Sequence, residues 1–325
     1  MPKYPTSTFS TLVARYCNLT RASKHNRELT GLEIMNDTRI TPGSSHRHAD
    51  NTRRNQELAA TARETSTVLP GILEQLPNLQ PAHSEALSLD TLAPLDASEC
   101  PKRTPTAIRV VNSDTLNAAI ELSAAGRVAV LNMASHVNPG GGWLKGARAQ
   151  EEALCYRSSL SLSLHRRYYP FKQRTGVYTR DVVVIRGDMA TGHRLLVPGV
   201  SPQDLPVVSV LSVAALRNPE TRRSRDGASE RLVYADTASR SLTKDKMRLC
   251  LRMAARRHHG LLVLGALGCG AFKNPAGEVA TCWLEVFREA EFQGGWWDEV
   301  WFAVYDTGGE GNFHVFERVL GGVEV

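Results

Sequence analysis

The chain has 325 residues, 42% of them hydrophobic, with 39 Lys and Arg against 33 Asp and Glu and a formal charge of +6. That is enough apolar material for one large domain or two modest ones, and the cationic excess suits an anionic partner, a phosphorylated metabolite or nucleic acid, as readily as an ordinary basic surface. Six cysteines (Cys17, Cys100, Cys155, Cys250, Cys269 and Cys282) show no CxxC pair or zinc-like spacing, which argues against a disulfide scaffold or a metal module. The opening MPKYPTSTFSTLVARYC lacks the apolar run of a secretory signal, and no segment reaches the roughly 18 apolar residues that cross a bilayer. These features predict an intracellular protein, of cytoplasm or nucleus, with no membrane contact.

In chain order, residues 1–52 are polar and punctuated and predict a flexible N-terminal extension, with room for one short helix between Leu12 and Leu32. Residues 53–325 are then the folded domain. It opens with NQELAATARETSTVLPGILEQLP, where Leu58, Ala62, Thr65 and Leu69 keep helical spacing and Pro70 stands to end or kink the helix. From Asn78 to Thr106 polar and Pro-containing stretches predict a long irregular connection. TAIRVVNSDTLNAAIEL then gives a short strand and a helix, and GRVAVLNMAS a second strand. VYTRDVVVIRG, LLVPGV, LPVVSVLSVAA, GLLVLGA and VWFAVYD supply further strands, while TKDKMRLCLRMAARRHH and AGEVATCWLEVFREAEF read as helices. The alternation predicts an α/β protein with a mixed sheet flanked by helices and ligand loops at strand ends.

Two loops attract attention. Gly140, Gly141 and Gly142 follow the GRVAVLNMAS strand; they serve either as a plain turn or as unhindered backbone whose N–H groups surround phosphate or press on a ribose. After GLLVLGA comes LGCGAFKNPAGEVA, in which Gly265, Gly268 and Gly270 allow a tight passage into a helix expected to begin between Gly277 and Ala280, a setting that suits a pyrophosphate. Neither loop has Walker or complete Rossmann spacing. Glu151 and Glu152 stand where acids cap a helix N-terminus, and equally where adjacent carboxyls contact different groups of a ligand held by the glycines. Cys155 and Cys269 lack a partner histidine, so packing is the better reading of both, and no cluster of ligands accompanies His136. His258 and His259 end a basic helix, where a cation favours the carbonyl end.

GGGWLKGARAQEE resembles the GGG-X6-8-QEE signature of the poly(ADP-ribose) glycohydrolases, and LVLGALGCGAFKNPAGEVA the second ligand loop of their microbial branch. VLNMASHVNP, ALCYRSSL and AATARETSTVLP resemble the same branch, so that the likeness runs over roughly residues 52–320. It implies a macrodomain-like fold that binds the terminal ADP-ribose of a polymer and hydrolyses its ribose–ribose bond without cofactor or metal. Glu152 falls on the family's catalytic acid, which burial or its neighbour is expected to raise in pKa, and Glu151 on the residue that holds ribose hydroxyls. The ligand-binding set becomes Gln150 and Gly140 to Gly142, with Ser135 or Asn138 at the distal ribose and Gly268, Cys269, Gly270, Ala271 and Phe272 at the phosphates. Ser135 stands where the animal enzymes have asparagine. For the adenine, Phe272, Tyr305 and Phe302 offer aromatic faces, Phe302 better suited to the core. Lys145 and Arg148 are either phosphate attractors or solvated loop charges, and the Arg222, Arg223, Arg225 stretch either steers polymer or is plain surface. The expected partners are poly(ADP-ribose) or ADP-ribosylated proteins, with no sequence-specific nucleic-acid binding, and the protein is expected to act as a monomer. A reader module that binds ADP-ribose without cutting it, and a hydrolase of mono-ADP-ribosylated targets, are the competing readings.

Overall fold

The computed structural model describes residues 44–226 and 229–325; the short helix expected between Leu12 and Leu32 lies outside them. A long helix, α1 (Ser44–Leu73), comes first, and it starts well ahead of Asn55. Pro70 does not end it, because Pro70 stands in the last turn and leaves only three residues beyond. The stretch from Asn78 to Thr106, expected to be irregular, contains a strand, β1 (Ser84–Ser88), whose SEALS sequence has no apolar alternation to announce it. There follow β2 (Arg109–Val111), α2 (Thr115–Leu122), β3 (Val128–Met133), α3 (Gln150–Arg157), β4 (Thr175–Val183) and β5 (Val207–Val213). A hairpin of β6 (Thr221–Asp226) and β7 (Ser229–Tyr234) leads to α4 (Thr237–Arg256), β8 (Leu261–Leu264), α5 (Ala276–Phe287), β9 (Glu299–Ala303) and α6 (Asn312–Leu320).

Seven strands form one sheet in the order β1-β4-β5-β3-β8-β9-β2. β5, β3, β8, β9 and β2 run parallel, while β1 and β4 pair antiparallel at one side, so the sheet is mixed. LLVPGV is not a strand: it meets the sheet through a single bridge, Leu195 to Arg186, where Pro198 removes a ladder donor. Its apolar residues Leu195, Leu196, Val197 and Val200 instead pack on Leu69, Ile72 and Ile185 at the end of α1.

The central strand β3 shows why both faces are covered. Ala129 and Leu131 join a core with Met247, Trp283, Phe287 and Phe302 under α4, α5 and α6. Val128 and Val130 join the opposite core with Leu116, Leu154 and Tyr156 under α2 and α3. A strand buried on two faces must be apolar throughout, as VAVL is. On α5, Val279, Ala280, Trp283, Val286 and Phe287 recur at helical spacing and are fully buried, each large one contributing about 1.5–3 kcal/mol. The many cations of α4 have local partners: Arg240 reaches Glu278 and Glu285, Arg248 reaches Glu289, and Arg252 reaches Glu291. The basic run is therefore a seam joining α4 to α5 and the turn after it. The helix stops at Arg256, and His259 beyond it is buried against Tyr178, whose hydroxyl lies 2.9 Å from His259 Nε2. Burial pulls its pKa down to about 4, so His259 is a neutral core group and not the cation expected at a helix end.

Candidate active site

The parallel strands present their carboxyl ends to one edge of the sheet, and the candidate groups come from the loops there and from the first turn of α3. At the end of β3, Gln150 fixes α3 to the strand. Its Oε1 accepts from Met133 N–H (2.9 Å), and its Nε2 donates to Leu131 O (2.6 Å) and Thr115 Oγ1 (3.2 Å). Both ends of the amide are thus engaged by the protein, which makes Gln150 the staple that sets the two acids beside the strand.

Glu151 is 2% exposed. Its Oε2 accepts from Ser135 N–H at 2.8 Å and its Oε1 lies 3.4 Å from Asn132 Nδ2. Burial raises its pKa to about 8, with the Glu152 charge adding to the rise and the Ser135, Asn132 and Gly140 contacts opposing it. The carboxyl that keeps its proton near neutrality is therefore Glu151. Glu152 is also buried; its Oε1 accepts from Gly142 N–H (2.8 Å) and its Oε2 from Ala149 N–H (3.0 Å). The second of these bonds caps α3, as the capping reading of this residue has it.

The glycine loop serves the acids first. Gly142 N–H is spent on Glu152 and Gly141 N–H on Asn138 O (3.0 Å), so this loop does not offer a row of free donors to phosphate. Its use is steric: Gly141 has φ +60°, and a Cβ there would sit 2.3 Å from Glu152 Oε1 and 3.1 Å from Glu151 Oε2. Both carboxyls converge on the space that the missing side chain leaves. Ser135 Oγ accepts from Val137 N–H (3.3 Å) and Asn138 N–H (3.2 Å), shaping the same loop, while the Asn138 side chain stands exposed.

A cavity of about 510 Å³ adjoins the acids, meeting them across Met133, Ala134 and Gln150. Gly268, Gly270, Ala271 and Phe272 form one wall, and Asp114 and Tyr305 line it too. In this second loop the N–H groups of Gly270, Ala271 and Phe272 donate to no backbone carbonyl of the described residues. Cys269 departs from the expectation. Its N–H goes to Ala266 O, its thiol is buried, and burial pushes the thiol pKa up, so Cys269 neither lines the cavity nor supplies a nucleophile. Cys155 is likewise fully buried with its thiol raised further by the two acids. α5 begins at Ala276, slightly earlier than expected. Phe302 is a core residue, 5.6 Å from the Trp283 ring, whereas Tyr305 is exposed. His136 meets Phe272 edge to face at 6.3 Å, joining the two loops.

Sequence reasoning missed four residues here. Asn132, fully buried, donates to Ser212 Oγ (3.0 Å) and faces Glu151; its even spacing with Val128 and Val130 was the available signal. Asn274 clamps the second loop, donating to Leu216 O (2.7 Å) and Gly268 O (3.1 Å) and accepting from Tyr234 OH (2.9 Å). Asp114 caps α2 through Leu116 N–H (2.8 Å), pairs with Arg157, and still reaches the cavity. Asn112 ties this corner to Tyr305's loop, accepting from Asp306 N–H at 2.9 Å. Among the described residues no group of His, Cys, Asp and Glu is placed to hold a metal ion, and no helix is long and apolar enough to cross a membrane.

Comparison with known proteins bears on this arrangement. The family model described as "Microbial-type PARG, catalytic domain" matches residues 32–187, the span that includes both acids. No curated protein matches the chain. Among solved structures, the poly(ADP-ribose) glycohydrolase of Thermomonospora curvata is 26% identical with a TM-score of 0.65, over 81% of this chain and 99% of that one. The same enzyme bound to the inhibitor ADP-HPD matches with a TM-score of 0.59. The poly(ADP-ribose) glycohydrolase of Deinococcus radiodurans in complex with ADP-ribose is 27% identical with a TM-score of 0.57, over 73% of this chain and 94% of that one. The sequence match over the acid-bearing segment and the structural match over most of the chain support classification of this protein as a microbial-type poly(ADP-ribose) glycohydrolase.

Proposed function

We propose that the cavity receives the terminal ADP-ribose of poly(ADP-ribose) and that the protein hydrolyses the ribose–ribose O-glycosidic bond next to it, releasing ADP-ribose. The observation that carries this reading is the convergence of two buried carboxyls on the Cβ-less face of Gly141, beside a cavity with unspent N–H groups on its far wall. A diphosphate suits the N–H groups of Gly270, Ala271 and Phe272. An adenine suits the corner of Asp114 and Tyr305, where a carboxylate can take its amino group and a phenol ring its face. The distal ribose then lies over Gly141.

In this reading Glu152 delivers a proton to the departing ribosyl oxygen as the anomeric C–O bond breaks, and the diphosphate offsets the positive character left on the sugar. Water attacks the anomeric carbon and returns a proton to Glu152. Glu151, neutral near pH 7, holds a ribose hydroxyl by donating and accepting hydrogen bonds. Ser135 shapes the loop under that ribose. Hydrolysis of an acetal consumes only water, so the catalytic step asks for no cofactor. The domain doing this work is residues 53–325, acting as a monomer, with poly(ADP-ribose) or ADP-ribosylated proteins as partner.

Glu152→Gln keeps the shape of the side chain and removes its proton exchange. It is expected to cut polymer hydrolysis by about 10²-fold or more while ADP-ribose affinity changes little. Chromatography of products from length-defined polymer, with calorimetry for binding, checks both. Turnover near the parental level would dismiss Glu152 as the acid, and binding without any turnover in the parental protein would favour a reader module.

A further inference from the structure

From Ala153 to Arg180 the sequence has no Asp or Glu but carries Arg157, Arg166, Arg167, Lys172, Arg174 and Arg180. Most of these have structural employment. Arg157 is buried with Asp114, Arg174 pairs with Asp90 and Asp245, and Arg180 lies far down β4 beside Asp181. Arg166, Arg167 and Lys172 are different: all three are exposed, and none pairs with a carboxylate among the described residues.

This strip is fastened to the loop that holds the acids. Arg166 Nη1 donates to Val137 O (3.2 Å), and Phe171 N–H to His136 O (2.8 Å). One residue before His136, Ser135 N–H holds Glu151. Aromatic rings lie among the cations: the Arg167 guanidinium lies 4.9 Å from the centre of the Tyr168 ring, and the Tyr169 and Phe171 rings meet at 4.6 Å, tilted by 35°. Tyr168 and Phe171 remain partly exposed.

A poly(ADP-ribose) chain alternates pyrophosphates with purines, and cations interleaved with aromatic faces bind such a chain as they bind a single strand of nucleic acid. We infer that His165 to Lys172 is the subsite for the departing chain, the ADP-ribose unit on the far side of the scissile bond. Its pyrophosphate lies over Arg166, Arg167 and Lys172, and its adenine against Tyr168 or Phe171. The terminal unit places its own diphosphate on the opposite loop, so the strip contributes to polymer and not to free ADP-ribose. This inference rests on the glycohydrolase reading above.

The test uses the Glu152→Gln protein, in which binding is read without turnover, and adds Arg167→Ala with Lys172→Ala. Free ADP-ribose is expected to bind both proteins equally. Two-unit and longer chains are expected to lose about tenfold in affinity, with the slope of log affinity against log salt shallower by roughly one to two. Restoring the cation with Arg167→Lys, in place of Arg167→Ala, should recover part of the loss. Unchanged affinity for the two-unit chain overturns the assignment, as does an equal loss for free ADP-ribose. So does a loss seen only on replacing Arg223 and Arg225, which would send the chain over the β6–β7 hairpin. Failure of the glycohydrolase reading is distinguishable, since the unsubstituted protein would then leave polymer uncut.

Discussion

Two adjacent glutamates in this protein have different hydrogen-bond partners because helical geometry points neighbouring side chains about 100° apart. Glu151 faces Asn132 and the sheet, where burial holds its pKa near 8, whereas Glu152 turns to the Gly142 and Ala149 N–H groups. The sign of the Glu151 effect on stability is fixed. Its folded pKa lies above the unfolded value, so both states are protonated below about pH 4.5, and stability falls as pH rises from there towards 8, where the folded protein must ionise a buried group. Glu151→Gln removes the titration. The variant is expected to melt higher than the parent at pH 8 by a few degrees and to match it near pH 4.5, with ADP-ribose binding weakened. Parallel melting curves across that window would show that Glu151 ionises as readily in the folded protein as in the unfolded one. The motif QEE identified both residues from sequence, but the division of environments came from the sheet, whose Asn132 carries no local signal of its partner.

At the scale of elements, the apolar strands β3, β5, β8 and β9 were legible because each is a short apolar run between turn residues. β1 was not, since SEALS owes its place to pairing with β4, and LLVPGV misled because apolar residues in a loop over α1 look like a strand. The two loops were legible as glycine patterns, but the difference between them was not: in one, Gly142 N–H is spent on Glu152, while in the other the N–H groups of Gly270, Ala271 and Phe272 meet no backbone carbonyl of the described residues. The acid-bearing loop also leans on α1 in a way no local pattern shows. A Cβ on Gly146 would sit 1.9 Å from Asn55 O, and Arg148 donates to Asn51 Oδ1 at 3.1 Å. Thr65 donates to Tyr156 O at 2.8 Å, and Tyr156 OH holds Trp143 O and Ala147 O. Gly146→Ala must therefore push helix and loop apart, with φ +82° adding strain. We expect it to lower kcat by about tenfold or more, since an ångström of misplacement at the acid is enough, and to lower the melting temperature as well. A folded variant with parental kcat would mean that α1 does not position the loop.

Taken as a whole molecule, the charge of +6 is distributed less simply than the total suggests. α4 spends its cations on acids of α5 and the turn beyond it, so this basic helix adds little to a steering surface. Residues 1–50 hold Lys3, Arg15, Arg21, Lys24, Arg27, Arg39 and Arg47 against Glu28, Glu33, Asp37 and Asp50, a balance of 7 − 4 = +3. That composition by itself marks the extension as dispensable for cleavage, with a small screened attraction to long polymer at low salt. The structure moves the place where dispensability ends. α1 is already under way at Ser44, and among the described residues it holds the acid-bearing loop at Asn51 and Asn55. Removing residues 1–43 is therefore expected to leave kcat on a short polymer within about twofold, and to weaken capture of long polymer modestly at low salt. Removing residues 1–57 takes Asn51 and Asn55 away and leaves a frayed helix end beside Gly146; kcat should then fall by about tenfold or more in a protein whose circular dichroism still reports the sheet. Steady-state cleavage of a length-defined polymer by the two truncated proteins separates these outcomes. Equal activity in both would free α1 from any part in the site, and loss already in the shorter deletion would make the extension a wall of the cavity.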